Sequence, residues 1–219
     1  MLSSKTNLHI LIPGLVDKLG DNKIMIRQLA QEALKSLSLS IKQSIILGTL
    51  IPFLSNPNWH TREEILLFII WLFLQYGKPV KDATAPQEKD SEEKKGEEDF
   101  LEDVDYAPLV NAIAKLLDDE KPKVVQIVYE TIATIAHLGD RTRVLELLLE
   151  VVEPEVYRKL CDRIEASALP VYRAEGGLDF PYLTSGLNTQ NSFYSNTQGA
   201  FRSSTNSMLT LMKTGDEVL

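Results

Sequence analysis

The stretch LGDNKIMIRQLAQEALKSL, Leu19–Leu37, begins with a Gly-Asp turn and continues as an amphipathic segment that has an arginine near its start. The same pattern occurs twice more when Leu11–Ile41, Ile46–Tyr76 and Leu109–Gly139 are aligned without gaps. Within each segment the apolar residues are three, four and seven positions apart, which is the spacing of a helix that buries one face. Each segment is therefore predicted to form two helices joined by a short turn.

The three segments share their apolar positions on both sides of the turn. The shared columns are Ile12, Leu47 and Val110; Leu15, Leu50 and Ile113; Leu19, Leu54 and Leu117; Ala30, Ile65 and Val128; Leu34, Ile69 and Ile132; and Leu37, Leu72 and Ile135. A weaker fourth unit follows at residues 141–166. Repeats of this length are typical of solenoids, in which each unit buries its apolar face against its neighbours. The sequence therefore predicts an all-α superhelix of HEAT or armadillo type, with four helix pairs over residues 6–166.

Local signals predict where several helices begin. Ser40 with Gln43, and Thr61 with Glu64, fit the capping box, in which two backbone N–H groups at a helix start are satisfied reciprocally. Asp140 precedes the first helix of the fourth unit and is a predicted N-cap.

Two regions depart from the repeat. Between Lys78 and Asp105 there are eleven Asp or Glu and five Lys, so this region carries −6 of the chain's net charge of −8. Because such a composition cannot bury enough apolar surface, residues 78–104 are predicted to be an acidic disordered insertion. Residues 167–219 are predicted to form an irregular tail. Its first part, residues 169–183 (LPVYRAEGGLDFPYL), is apolar enough to pack back onto the last helix pair, and the residues after it are polar and low in complexity.

The sequence offers no chemistry for catalysis. The three histidines, His9, His60 and His137, are not paired with one another or with Cys161 at metal-ligand spacing. No phosphate-binding glycine loop and no nucleophile motif is present. We therefore expect no catalytic residue, no cofactor and no metal, and a protein that is not an enzyme.

Composition also bears on compartment and partners. A single cysteine favours a reducing compartment, and no signal-peptide pattern is found. The apolar run Ile65–Leu74 has ten residues, whereas a membrane span needs about 20, so we expect no membrane association. A pI near 5.0 argues against a nucleic-acid partner.

The repeats resemble a known family. Residues 11–37, LIPGLVDKLGDNKIMIRQLAQEALKSL, are similar to a HEAT repeat of the TOG type, which is found in proteins that bind tubulin. Residues 56–77, NPNWHTREEILLFIIWLFLQYG, resemble the next repeat, and residues 106–141, YAPLVNAIAKLLDDEKPKVVQIVYETIATIAHLGDR, resemble the one after it. Their order is similar to the C-terminal half of a TOG domain of the CLASP or crescerin type. The third repeat departs from the family pattern at Val125, where the family has arginine.

The resemblance implies a non-enzymatic module that binds tubulin or microtubules along the edge formed by the turns within the repeats. It implies a place on the cytoplasmic cytoskeleton, with the cilium or axoneme as a narrower setting. Carried over to this chain, the contact residues would be Asn22 and Lys23 in the first turn; Asn58, Trp59 and His60 in the second; Lys121 and Lys123 in the third; and Arg141 and Arg143 at the fourth position.

Several of these residues have a structural alternative. Arg27 and Arg62 share one column, where a HEAT-repeat arginine pairs with the turn aspartate of a neighbouring repeat. Trp59 either contacts a partner or folds under its turn against the core. The lysines of the turns are either contact residues or simply solvated.

Two further hypotheses remain open at this stage. The chain could be a generic HEAT or armadillo scaffold that binds another protein through a groove lined by the inner helices, or, less favoured by its acidity, a chromatin-associated HEAT protein. A half domain would also leave the first repeat uncapped, since a terminal repeat needs a polar outer face. We therefore expect the N-terminal repeat to contact another protein, a second copy, or residues outside this chain.

Overall fold

The computed structural model describes residues 4–77, 100–166, 168–172 and 177–184, and within them all side chains except those of residues 4–9 and 102. Eight longer helices in these ranges form four successive pairs, which confirms the predicted all-α repeat fold. The pairs are α1 (Ser4–Leu19) with α2 (Ile24–Ser38), α3 (Gln43–Leu50) with α4 (Trp59–Tyr76), α5 (Tyr106–Ala114) with α6 (Pro122–Leu138), and α7 (Arg141–Val151) with α8 (Pro154–Glu165).

The first helices of the second and third pairs end in 3₁₀ turns. Helix α3 continues as a 3₁₀ turn over Ile51–Ser55, and α5 continues as one over Lys115–Asp118. Pro52 explains the first transition, because its ring carries no N–H for the α-helical hydrogen bond to residue 48.

The helices lie in two layers. The second helices of the pairs stack in order, with α2 against α4, α4 against α6 and α6 against α8, while α1 packs on α3 and α5 packs on α7. The aligned apolar columns form the core between the layers, and Leu34, Ile69 and Ile132 are each almost completely buried. Stacking thus buries the apolar stripe that a single pair would leave exposed.

The two predicted capping boxes are wrong, whereas the Asp140 cap is confirmed. Helix α3 begins after Lys42, and α4 begins after Asn58, so Thr61 lies inside its helix and is buried. At α7 the Asp140 carboxylate accepts a hydrogen bond from the Arg143 N–H at 2.9 Å, as an N-cap does.

The end of the predicted insertion at residue 104 is also wrong. Phe100–Asp103 forms a 3₁₀ turn, and the side chains of Phe100 and Val104 are buried in the core. Phe100 lies edge-on against Phe73 of α4 with ring centroids 5.2 Å apart. The two apolar residues belong to the folded body although their neighbours are acidic, and residues 78–99 lie outside the described ranges.

The start of the predicted tail packs back onto the repeats. Val171–Tyr172 (β1) pairs antiparallel with Leu178–Asp179 (β2), and the four-residue helix α9 (Pro181–Thr184) follows. At one end of this segment the Tyr172 hydroxyl accepts a hydrogen bond from Lys35 Nζ of α2 at 3.2 Å. At the other end Phe180 is buried in the core. We call residues 168–172 and 177–184 the strap, and the predicted tail from residue 185 onward lies outside the described ranges.

A fully buried ion pair joins the third and fourth helix pairs. Arg163 of α8 donates from Nε and Nη2 to the two carboxylate oxygens of Glu130 in α6, at 2.7 and 2.5 Å. The side chains are 2% and 0% exposed. The strap completes this site, since the Ala168 carbonyl accepts from Arg163 Nη2 at 2.8 Å and the Tyr182 ring lies 4.3 Å from the guanidinium carbon.

We predict that Arg163→Met lowers the free energy of unfolding by about 3–5 kcal/mol, because it leaves the Glu130 carboxylate buried without its counter-charge. Urea denaturation measures the change. The double variant Glu130→Met with Arg163→Met should recover most of the loss, because neither charge then remains buried. Arg143→Met is the control: its pair with Glu146 is half-exposed, so the cost should stay below about 1 kcal/mol. A single variant no worse than this control would contradict the prediction.

Candidate functional site

The turns within the helix pairs share one edge of the stack. Because the two helices of a pair run in opposite directions, the turns at residues 20–23, 56–58, 119–121 and 152–153 lie on one edge, and the connections between pairs lie on the other. We call the first of these the turn edge. It is the surface that the resemblance to TOG-type repeats implies as the contact face.

The first three turns are built alike. In each, an Asp or Asn side chain accepts a hydrogen bond from the backbone N–H two residues later, which is the Asx turn. The Asp21 carboxylate accepts from Lys23 N at 2.7 Å, Asn56 Oδ1 accepts from Asn58 N at 2.8 Å, and the Asp119 carboxylate accepts from Lys121 N at 2.9 Å. These acceptors occupy the aligned turn column of the sequence.

Arg62 fixes the second turn to the third. Its Nη1 donates to the Asn56 and Pro57 carbonyls at 2.6 and 3.0 Å. Its Nε and Nη2 donate to the two Asp119 oxygens at 2.6 and 2.9 Å. This bidentate pair is the planar geometry that favours arginine over lysine. It confirms the predicted pairing of Arg62 with the turn aspartate of the neighbouring repeat.

Arg27 fixes the first turn in the same way but uses another partner. Its Nη1 donates to the Asp21 carbonyl at 2.8 Å, and its Nε donates to Glu64 Oε1 at 3.0 Å. The second turn has Asn56 where the third has Asp119, so it offers no carboxylate, and Glu64 of α4 takes that part. Gln31 Nε2 also donates to Glu64 Oε2 at 3.0 Å.

In the third repeat Val125 occupies the arginine column. An ion pair between Lys123 of α6 and Glu63 of α4 joins these helices instead. Lys123 Nζ lies 2.5 Å from Glu63 Oε1, and the Glu63 side chain is buried between α4 and α6. Lys123 is thus held by the second repeat. The structure places Lys123 in an ion pair rather than in solvent, and its role as a contact residue stays a prediction.

The second turn packs closely on the first. Asn58 Nδ2 donates to the Gly20 carbonyl at 2.7 Å, and Asn58 Oδ1 caps α4 by accepting from His60 N at 3.0 Å. A Cβ at Gly20 would lie 2.6 Å from Thr61 Oγ1 and 2.7 Å from Asn58 Nδ2, so the contact needs glycine. The Asn58 side chain therefore holds the first turn and caps α4 at the same time.

Trp59 and His60 form a stacked pair at the start of α4. Their ring centroids are 3.7 Å apart, and Trp59 is half-buried against the core. His60 Nδ1 lies 3.7 Å from Glu63 Oε2, and neither atom has a hydrogen-bond partner. Desolvation lowers the pKa of His60, and the positive charges of Arg27 and Lys123 lower that pKa further. Desolvation raises the pKa of Glu64.

The predicted site residues divide into three groups. Asn22, Lys23, Asn58 and Lys121 are exposed on the turn edge. Trp59, His60 and Lys123 lie on it but are half-buried. The third group is Arg141 and Arg143.

The predicted placement of Arg141 and Arg143 at the fourth turn is wrong. They open helix α7, whereas the fourth turn is Val152–Glu153 at its other end. Eleven helical residues separate the two edges by about 16 Å. Glu153 in the fourth turn and Glu155 at the start of α8 are exposed, and no arginine lies at this turn.

Two functional residues of this edge are missing from the sequence-based predictions. Glu64 was predicted only as part of a capping box and Glu63 was not singled out, yet they pair with Arg27 and Lys123 of neighbouring repeats. The sequence does carry a signal for Glu64. The second turn has Asn56 in place of an aspartate, so Arg27 needs a carboxylate from elsewhere. The exposed charges of the turn edge are mixed, with Lys18, Lys23 and Lys121 against Asp17, Asp118 and Glu120.

Three solved structures share the arrangement. A structure from work on crescerin, which uses a TOG domain array to regulate microtubules in the primary cilium, matches with a TM-score of 0.64 and 23% identity over 83% of this chain and 67% of that chain. The chain has the TOG-type HEAT-repeat fold.

Two further structures agree with this TOG-type fold. The MAST/Orbit N-terminal domain matches with a TM-score of 0.56 and 18% identity, over 74% of this chain and 63% of that one. A chain from work on microtubule plus-end tracking by XMAP215, CLIP-170 and EB1 gives a TM-score of 0.51 and 22% identity, over 74% and 58% of the two chains. This chain therefore spans about two thirds or less of each structure. No protein-family model and no curated protein matches its sequence.

Two further features of the described residues bear on function. None of their helices combines the length and apolar character required to cross a bilayer. Among the same residues, no group of three His, Cys, Asp or Glu side chains is placed to hold a metal ion.

We predict that Arg62→Met lowers the free energy of unfolding by about 3 kcal/mol, because the buried Asp119 carboxylate loses its bidentate partner. Chemical denaturation gives the value. Hydrogen exchange should speed up at Asn58 and Lys121, whose N–H groups close the two turns. Lys121→Met is the control, because its side chain is exposed and should contribute less than about 1 kcal/mol. Equal losses in both variants would contradict the role of Arg62.

We predict that His60 makes the stability of the fold depend on pH. A histidine whose folded-state pKa is lowered stabilises the fold above its unfolded pKa, and that contribution is lost as the pH falls through the folded pKa. We therefore expect stability to fall between about pH 7 and pH 5, and to fall less in His60→Gln. Urea midpoints at both pH values test this, and the same fall in both proteins would contradict it.

Proposed function

We propose that this chain is a non-enzymatic module that binds tubulin or microtubules through its turn edge. The observation that carries the proposal is the arginine-fixed row of three Asx turns, which presents exposed Asn22, Lys23, Asn58 and Lys121 on one edge of a TOG-type fold. The likeness to structures from microtubule-regulating proteins supports it. The crescerin likeness supports the primary cilium as a setting.

Rigidity is what the arginines contribute to such a surface. A turn that is already ordered loses little conformational entropy when it binds, so more of its contact energy is retained as affinity. Arg62 holds the second and third turns at a fixed separation, and Arg27 holds the first turn to α4. The turns would therefore meet a partner as one surface rather than as three separate loops.

The exposed lysines of the turn edge would orient an acidic partner. Tubulin is strongly acidic, and exposed lysines speed its encounter and favour one binding direction. Lys23 and Lys121 lie in the first and third turns and have exposed side chains, so they are the cations on this edge best placed to act. The acidic fourth turn would lie outside the contact.

The strap bears on the alternative of a scaffold groove. Its residues run over the second helices of the pairs, from Arg163 of α8 to Lys35 of α2. Lys35 Nζ lies 4.8 Å from the Tyr172 ring centroid and 5.7 Å from that of Trp71, so the strap also covers α4. Part of the surface that a scaffold would offer to a peptide is therefore occupied by the chain itself, which favours the turn edge as the contact surface.

We predict that Lys23→Glu with Lys121→Glu weakens binding to tubulin at least about tenfold, because both changes reverse exposed charges on the turn edge. Gel filtration with free tubulin and co-sedimentation with microtubules measure the two forms of the partner. The matched control is Arg141→Glu with Arg143→Glu, which makes the same charge change on the opposite edge. The control should bind like the parent.

Each alternative result has a definite meaning. Equal losses in both variants would show a response to overall charge rather than to the turn edge. A loss confined to the Arg141 and Arg143 variant would move the contact to the other edge. No binding of the parent to tubulin or microtubules would overturn the proposal.

A further inference from the structure

A cleft of about 270 Å³ lies where the helices α6 and α8 meet the strap helix α9. The buried Arg163 side chain forms part of its lining, and the Tyr182 ring lies 4.3 Å from the guanidinium carbon. The lining residues of α6 and α8 lie at least one helical turn from the ends of these helices at the turn edge. This cleft, which we call the Arg163 cleft, is therefore distinct from the turn edge.

One nitrogen of the Arg163 guanidinium lacks a partner. Nε and Nη2 donate to the Glu130 carboxylate, and Nη2 also donates to the Ala168 carbonyl. Nη1 is buried and makes no hydrogen bond among the residues that the structure describes. A buried donor without an acceptor costs free energy, so nearly all such groups in folded proteins have a partner in the protein or in ordered water. Arg163 therefore leaves one acceptor position to be filled by another molecule.

Further hydrogen-bond donors line the Arg163 cleft. They are the Gln126 amide and the Tyr129 hydroxyl of α6 and the Lys159 ammonium of α8. Desolvation raises the pKa of Tyr129, so its hydroxyl keeps its proton, and the positive charge of Lys159 acts on the same group. Lys159 Nζ also lies 2.9 Å from the Glu155 carboxylate, but both side chains are exposed and such a pair is easily exchanged for another. Donors from two helices can therefore reach one ligand.

Two carboxylates also line the cleft, and neither supplies the missing acceptor. Both oxygens of Glu130 already accept from Arg163, so this charge is compensated. Asp162 is exposed on α8, where water and salt screen its charge. The Tyr182 ring and Leu183 add apolar surface to the lining. The cleft is therefore suited to a small ligand that combines an oxygen acceptor with a short apolar part.

We propose that the Arg163 cleft binds a carboxylate group, carried either by a small organic acid or by a glutamate side chain of an acidic peptide. One carboxylate oxygen would accept from Arg163 Nη1 and the other from Tyr129 or Lys159, since charge-assisted hydrogen bonds of this kind are the strong ones. The volume is just below that of sites for drug-sized molecules, so it fits a small acid. A phosphate is less suited, because its second negative charge would face Asp162. The inference does not rest on the proposed function of the turn edge.

Titration calorimetry of the whole chain with glutarate tests the proposal, and neutral glutaramide is the matched probe. Glutarate should saturate the chain with a Kd of about 1 mM, and glutaramide should not bind. Tyr129→Phe and Lys159→Gln each remove one donor and should raise the Kd at least about fivefold. The controls Tyr157→Phe and Arg158→Gln lie on α8 outside the lining and should leave the Kd unchanged. Asp162→Asn should lower the Kd, because it removes a negative charge from the cleft.

Nitrogen NMR of the arginine side chains reports on Arg163 without replacing it, which matters because its ion pair is buried. The Nη1 signal of Arg163 should shift when glutarate is added. The signals of Arg62, which lies on the turn edge, should stay where they are.

A peptide probe distinguishes the two sources of the carboxylate. Acetyl-Gly-Glu-Gly-amide has one carboxylate, in its glutamate side chain, and no charged end. Tighter binding of this peptide than of glutarate assigns the cleft to an acidic peptide, and weaker binding assigns it to a free acid. No saturable binding of either probe would overturn the proposal, and the cleft would then hold water only. An Arg163 signal that does not shift, or equal weakening by the controls, would also overturn it.

Discussion

One guanidinium group joins two neighbouring turns of the turn edge. Arg62 binds the carbonyls of its own turn and, through both oxygens of Asp119, the turn of the next repeat. The separation of these turns is therefore set by a planar, bidentate ion pair rather than by the loops themselves. Arg27 does the same one repeat earlier through Glu64. Arg27 and Arg62 bind carboxylates of the following repeat, whereas Arg163 of α8 binds Glu130 of the preceding repeat, in the core.

These ion pairs lie at the junctions that apolar packing leaves unspecified. Stacked leucine and isoleucine columns stabilise the pairs but tolerate small sliding movements, since similar side chains can repack. A buried or half-buried arginine cannot slide without leaving a carboxylate unpaired. The repeats are consequently held in one register at the edge where the turns are presented. The strap adds a second constraint, because it ties the last helix pair to Lys35 in the second helix of the first pair.

The helix pairs and the core followed from the sequence because they depend on periodicity. Columns such as Leu34, Ile69 and Ile132 repeat without gaps, and all three are buried. The Arg62 pairing was also predictable, since its partner Asp119 lies in the turn column. An ion pair of Arg27 was predictable but its partner was not, because Glu64 of α4 takes the place of the expected turn aspartate.

The errors have different causes. Arg141 and Arg143 were assigned to the wrong edge because a basic pair was matched to a motif without following the helix to its turn. The capping boxes at Ser40 and Thr61 failed because the chain satisfies its helix starts differently, with Asn58 capping α4 from two residues before His60. Phe100 was missed because its burial is set by tertiary contacts, which leave no period in the sequence. The packing of the strap on the last helix pair was predicted from its apolar residues, but its contact with Lys35 of the first pair was not.

The measurement that tests the account most directly is hydrogen exchange of the chain with and without tubulin. Backbone groups at residues 20–23, 56–60 and 119–121 report on the turn edge, and those at residues 139–143 report on the opposite edge. The account predicts slower exchange in the first set and no change in the second. Protection confined to residues 139–143, or to the strap, would contradict it.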